Sequence, residues 1–355
     1  MTRRLPIILL LSASSALAAP SPSDKLSDTP SQVVGNEITE KQQASVERGL
    51  EWLAKHQKPD GSYGGDGMAP HAGITALAAL AFMQQGNLPG RGKYGDNVTK
   101  CLDFILNNCQ ESGLIVSDQS HGPMYGHGFA TLFLAEVYGM TGDERVKDKL
   151  QRAVRLIQKT QNNEGGWRYQ PVPLDADISV TICQVMALRA ARDAGIKVEK
   201  DVIDKAIKYV RACQNPDGGF SYMARQGGGG GSGFARSAAG VSALYYAGVF
   251  EGDDITRGLN YIKKFTPTKG APNPEMEGHY YYGNYYAVQA MFLAGGDYWA
   301  KWYPAIREQL IAKQNPAEGK WSGDFSDDYA TSMALIILQM PNRYLPVYTG
   351  KGPGS

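Results

Sequence analysis

Residues Arg152–Trp167 read RAVRLIQKTQNNEGGW. A basic residue opens the stretch, and Ala153, Val154 and Ile157 then recur at the spacing of one helix face. Gln161, a turn carrying Gly165 and an aromatic ring follow. The same order returns in RGLEWLAKHQKPDGSY from Arg48, KCLDFILNNCQESG from Lys100, KAIKYVRACQNPDGGF from Lys205, RGLNYIKKFTPTKG from Arg257 and IREQLIAKQNPAEGKW from Ile306. Taking Gln57, Gln110, Gln161, Gln214, Thr266 and Gln314 as equivalent gives steps of 53, 51, 53, 52 and 48 residues. A fixed period of this size is the mark of a repeat architecture.

Each turn is followed by a second helical stretch richer in alanine and apolar on every side: GITALAALAFMQQG, GFATLFLAEVYGM, ISVTICQVMALRAARDAG, AAGVSALYYAGVF, NYYAVQAMFLAGG and YATSMALIILQMP. A helix apolar all round is buried all round. The amphipathic helix of each pair is therefore the outer one. Six outer/inner pairs close most economically into a ring, because a linear array would expose its terminal inner helices. The sequence predicts an all-α fold, an α/α toroid of six pairs over residues 41–345, with a flexible leader at 20–40 and a tail at 346–355.

The endings QNNEGGW at Gln161 and QNPAEGKW at Gln314, with aromatic variants at Gln214 and Gln57, resemble the repeats of the squalene-hopene cyclase, terpenoid cyclase and protein prenyltransferase β-subunit superfamily. The resemblance spans about residues 45–340. It implies the toroid, and as an activity isoprenoid cyclisation. The stretch PLDADISVT (Pro173–Thr181) is similar to the Asp-x-Asp-Asp motif that protonates an alkene: Asp175 and Asp177 match its first two acids, with Asp177 as proton donor, and Ile178 stands where the third acid would be. The zinc ligands of the prenyltransferases have no counterpart, since Ala330 stands where their histidine would be. No metal and no cofactor are expected.

Parallel inner helices bring their N-termini to one rim, where unpaired N–H groups and positive dipole ends favour acceptors. Aligning these helices places His71, His127, Asp177, Arg236, Asn284 and Asp328 near their starts. Asp177, Asn284 and Asp328 are good N-caps; His71 and His127, beside glycines and without a capping role, are read either as polar contacts at a pocket mouth or as buried. Together with Arg236 the histidines predict a preference for acidic or hydroxyl-rich ligands below about pH 6.5. The tyrosine-rich segment from Glu277 offers Tyr282 for stacking on a ligand, with Tyr285 and Tyr286 read as core. Glu136, in an apolar helix, is expected to face the cavity or meet a base. The glycine-rich run 227–233 reads as an insertion or a lid.

Lys+Arg 36 against Asp+Glu 35 gives a net charge of +1, without the basic excess of a nucleic-acid binder. Four cysteines cannot form a disulfide scaffold, and Cys101 and Cys109, about 12 Å apart by helical rise, cannot bond each other. Residues 1–19 combine Arg3-Arg4, a short apolar run and a small-residue cleavage signal, and read as a secretory signal peptide. A secreted or periplasmic protein without a transmembrane segment is expected. Three functions stay open: binding of a small-molecule, isoprenoid or carbohydrate ligand or a protein partner at cavity and rim; isoprenoid cyclisation with Asp177 as acid; and polysaccharide cleavage.

Overall fold

The computed structural model describes residues 37–64, 69–117, 122–224, 230–268, 279–323 and 325–349 of the chain. Residues 1–19, read as a signal peptide, most of the segment read as a leader, Glu277, residues 227–229 of the glycine run and the end of the tail lie outside the described residues. Twelve α-helices, and no β-strand, occur among the described residues. The outer helices are α1 (Glu40–His56), α3 (Gly95–Asn107), α5 (Glu144–Lys159), α7 (Lys200–Ala212), α9 (Asp253–Lys263) and α11 (Gly296–Lys313). The inner helices are α2 (Ala72–Met83), α4 (Met124–Thr141), α6 (Ile178–Asp193), α8 (Phe234–Ala247), α10 (Tyr280–Ala294) and α12 (Asp327–Leu338).

The division into layers follows from the sequence. In α5, Asp143 caps the first turn, and Val146, Leu150, Ala153, Val154 and Ile157 form one buried stripe. The other face carries exposed pairs such as Arg152–Asp148. In α2 every residue is buried. Each inner helix packs on two others, in the order α2, α4, α6, α8, α10, α12 and back to α2. The ring is closed, as the repeat pattern requires.

One staple joins successive repeats. Gln161 Nε2 donates to the carbonyl of Gly165 in its own turn (2.9 Å) and to that of Val202 in the next outer helix (2.8 Å). Gln57 and Gln214 repeat the pattern, and Gln314 makes it to Gly319 and Ser45, tying the sixth repeat to the first. Gly165 sits at φ +102°, in the left-handed region, and an added Cβ would lie 2.2 Å from the Lys205 carbonyl oxygen. Trp167 Nε1 and Trp321 Nε1 donate to Ile157 and Leu310 carbonyls. Gln110, matched to this set from sequence, departs from it. Cys109 pairs with Ile115 as Gln214 pairs with Phe220, so Cys109 holds the staple position of the second repeat, and Gln110 is exposed. The repeat is correspondingly more even, at 57, 109, 161 and 214.

The axis of the ring is filled. Helices α4 and α10 are diametrically opposite, yet Phe129 and Tyr285 meet edge to face with centroids 6.0 Å apart. Tyr286 is fully buried against Cys183 (Sγ to hydroxyl 3.2 Å), and Tyr285 reaches the Tyr348 hydroxyl at 3.1 Å. Packed structure continues past residue 345, because Pro346–Thr349 forms a 3-10 turn with Val347 and Tyr348 buried. At the other end Glu37 accepts from Trp299 Nε1 at 2.6 Å and pairs with Arg343 at 2.9 Å, so the first and last described residues are both fastened to the ring.

Candidate functional site

The loop between α5 and α6 is pinned at both ends. Trp167 N–H donates to Thr181 Oγ1 and Asp177 N–H to the Trp167 carbonyl, which leaves residues 168–176 as an excursion over the N-terminal mouth of the ring. Ile178 N–H donates to Tyr222 of the next repeat. Arg168, Tyr169, Asp175, Asp177 and Tyr222 meet there for that reason.

Asp177 is fully buried and caps α6. Its Oδ1 accepts from the backbone N–H groups of Ser179 and Val180, both at 2.9 Å, and from the Ser179 hydroxyl at 2.5 Å. Its Oδ2 has no hydrogen-bond partner; the Arg168 Nε is 3.9 Å away. Burial pushes the carboxyl above its ordinary range, against the opposing pull of the Ser179 hydroxyl, the Val180 N–H, Tyr222 and Arg168. Asp175 is exposed and pairs with Arg168 at 2.5 Å. The Arg168 guanidinium lies 5.2 Å over the Tyr169 ring and 5.9 Å over that of Tyr222, and the two tyrosine hydroxyls are hydrogen-bonded. From the opposite side, Tyr125 hydrogen-bonds the Ser179 hydroxyl at 2.6 Å and Tyr282 donates to the Ser179 carbonyl at 2.9 Å. Burial first, and the Asp177 charge next, hold the Tyr125 hydroxyl protonated. The mouth is thus a collar of half-buried tyrosines around one buried carboxylate, with one stacked guanidinium.

The other expected site residues go elsewhere. His71 is itself the N-cap of α2, Nδ1 accepting from Gly73 and Ile74 N–H groups, which corrects its reading as a free contact at a pocket mouth. His127 is not at the mouth either. It lies inside α4, fully buried, with Nδ1 accepting from Ile115 N–H at 3.1 Å, and burial pushes its pKa down to about 4. That bond is the one made by Thr75, Thr181, Ser237 and Thr331 to the start of their own inner stretches. Asn284 occupies the same register in α10 and donates to Tyr280. Neither Asn284 nor Asp328 is an N-cap: His279 and Ser326 stand there, and Asp328 Oδ2 accepts from Gly64 N–H at 3.0 Å. Arg236 donates to the Gly231 carbonyl of its own loop. The expected charge-based preference for acids below pH 6.5 therefore loses its histidines. Glu136 lies deep in α4 toward the other face, buried, its carboxyl accepting from the Val347 N–H, and burial raises it to about 8. No ion pair reaches it among the described residues, contrary to the expected salt bridge.

The six residues aligned from sequence thus spread over registers up to four residues apart: His71 and Asp177 lie four before the position of Thr75 and Thr181, Asp328 three before that of Thr331, Arg236 one before that of Ser237, and His127 and Asn284 in it. Arg168, Tyr125, Tyr169 and Tyr222 were missed, since they precede the inner helices or lie in another repeat. The available signal was the aromatic immediately after each turn: Trp167-Arg-Tyr and Phe220-Ser-Tyr share one spacing. Among the described residues no cluster of three His, Cys, Asp or Glu side chains could hold a metal ion, and all four cysteines are free thiols. No described helix is long and apolar enough to cross a membrane.

If Asp177 acts as a cap, Asp177→Asn is expected to leave the melting temperature nearly unchanged, because Asn caps as well as Asp. Asp177→Ala is expected to lose about 0.5–2 kcal/mol. Thermal melts of the three proteins check this, and an Asn variant as unstable as the Ala variant would overturn it.

The family model of the squalene-hopene cyclase C-terminal domain matches residues 131–306. No curated protein matches the chain. Among solved structures, an α-1,6-mannanase from Salegentibacter superposes with a TM-score of 0.64 at 9% identity, covering 84% of this chain and 98% of its own. Cellobiose 2-epimerase from Spirochaeta thermophila gives 0.64 at 14%, covering 87% and 99%. A type II terpene cyclase from Scytonema, in complex with geranylgeranyl dihydroxybenzoate, gives 0.58 at 14%, covering 86% and 98%. These structural likenesses define an α/α toroid. Its repeats over residues 131–306 are similar to those of the squalene-hopene cyclase C-terminal domain.

Proposed function

We propose that the protein binds a neutral, hydroxyl-rich ligand of carbohydrate type at the tyrosine collar. The observation that carries this reading is the convergence of Tyr125, Tyr169, Tyr222 and Tyr282 on Ser179 and Asp177, above an axis closed by Phe129 and Tyr285. A deep apolar tunnel would suit a polyene; a shallow collar of amphipathic rings with mixed donors and acceptors suits sugar faces and hydroxyls. Two of the similar structures are, by name, a mannanase and a cellobiose epimerase, and the secretory signal read at residues 1–19 fits a ligand met outside the cytoplasm.

The test is calorimetric titration with short cello- and manno-oligosaccharides. Arg168→Ala and Tyr222→Ala are expected to weaken binding about tenfold each, the loss typical of one important contact. Unchanged affinities, or no binding to any sugar, would remove this reading.

A second reading, isoprenoid cyclisation with Asp177 as acid, is favoured by one observation: the dry Oδ2, which accepts no hydrogen bond and has the Arg168 Nε 3.9 Å away, on a carboxyl pushed toward its protonated form. A proton donor cannot be replaced by an amide. Product from squalene with the wild type, abolished in Asp177→Asn at unchanged melting temperature, would establish it in place of the first.

A further inference from the structure

A second recess lies on the same rim, at the seam where the last repeat meets the first. The end of α1 and the start of α12 enclose a cleft of about 240 Å³, lined by Trp52, His56, Lys58, Phe325, Asp327 and Asp328. His56 stacks on Trp52 with centroids 3.9 Å apart and is held there by a bond from its Nδ1 to the Trp52 carbonyl. Phe325, which lines the same cleft, is 56% exposed and so offers an open ring face to a ligand. The acids are already engaged: Asp327 pairs with Lys320 at 2.9 Å, and Asp328 accepts from Gly64 N–H. Lys58 adds one positive charge, so the cleft is close to charge-balanced. Two flat faces with donors and acceptors between them, and little net charge, fit neither a metal nor a free anion.

Aromatic rings lie between the cleft and the collar. Phe325 packs edge to face on Tyr329 at 5.3 Å, and the Tyr329 hydroxyl bears electrostatically on that of Tyr282 without a direct contact between them. Tyr282 in turn reaches Ser179 beside Asp177. Helices α6 and α12 are opposite in the ring, and at 8–10 Å between neighbours their starts are about 16–20 Å apart. That is beyond one sugar unit. We propose that the seam cleft is a second carbohydrate subsite, so that the ligand of this protein is a linear oligosaccharide lying across the rim from the collar at Asp177 to Trp52 and Phe325. This rests on the carbohydrate reading of the collar and adds the size of the ligand to it.

Linear cello- and manno-oligosaccharides of two to six units, titrated into the full chain, test it. Affinity is expected to rise with length, and Phe325→Ala and His56→Ala, both at exposed positions, are expected to lower the affinity for the hexasaccharide about tenfold while leaving that for the disaccharide unchanged. Length-independent affinity, or a hexasaccharide indifferent to both substitutions, overturns the second subsite while the collar stands. Absence of binding at every length overturns both.

Discussion

Gly165→Ala is expected to lower the melting temperature by about 5–10 °C, the effect of a loss of about 2–5 kcal/mol in a domain of this size. Two costs add. At φ +102° an alanine is in the left-handed region, and its Cβ would sit 2.2 Å from the Lys205 carbonyl oxygen. The obstacle is backbone of the next outer helix, which cannot turn aside as a side chain can. Relief requires parting α5 from α7, and with them the bonds of Gln161 to Gly165 and Val202. Gly142→Ala is the control, since that residue has φ +66° with nothing within 4 Å of an added Cβ. It should cost only the backbone preference, about 1–2 kcal/mol. Equal losses in the two variants would refute the role given to the close approach. The same geometry recurs at Gly61 against Lys100, Gly113 against Arg152, Gly218 against Arg257 and Gly319 against Arg48. In these five repeats the basic residue opening the repeat is where the preceding turn lands.

This explains why the fold was legible and the site was not. The fold depends on features that recur around the ring, and Gln at the staple of four repeats, with Gly and an aromatic at fixed offsets, reveals itself by repetition. Even so, Gln110 was mistaken for the staple, because one residue of slippage puts a true glutamine beside Cys109, and only the pairing of Cys109 with Ile115 distinguishes them. The mouth depends on features that occur once. Asp177 was found because it begins an inner helix, and its dual character, capped on Oδ1 and orphaned on Oδ2, follows from burial that spacing does not reveal. For His127 the residue type does not decide between mouth contact and burial: its ring does the work of a threonine hydroxyl, accepting one backbone N–H, and nothing in its type announces the substitution. The collar tyrosines come from α4, α10 and two loops, and only closure of the ring brings them together.

Closure also buries His127 and Glu136, whose protonation is displaced in opposite directions, and above pH 6.5 the second of them makes stability depend on pH. His127 is pushed down to about 4 from 6.5, so between those values the unfolded chain binds a proton that the native state refuses. Stability through this group rises with pH over that interval and is complete above 6.5. Glu136 is pushed up to about 8 from 4.5, chiefly by burial, with the Val347 N–H opposing and Asp193 reinforcing. The native state keeps its proton where the unfolded chain has released it, so this contribution is full below 4.5 and is lost as pH rises to 8. From 4.5 to 6.5 the two oppose each other. Above 6.5 Glu136 acts without His127, and each pH unit removes up to about 1.4 kcal/mol. Between pH 6.5 and 8 the wild type is expected to lose about 2 kcal/mol, on the order of the area between those limits. Glu136→Gln keeps an acceptor for the Val347 N–H and has no proton to lose, so its stability should be flat over the same range. Urea unfolding of both proteins at pH 6.5 and 8 reads the difference directly. Parallel losses would mean that Glu136 is ionised in the native state, with the 3-10 turn at Pro346–Thr349 and the Arg189–Asp193 pair rearranged around a charge they do not now face.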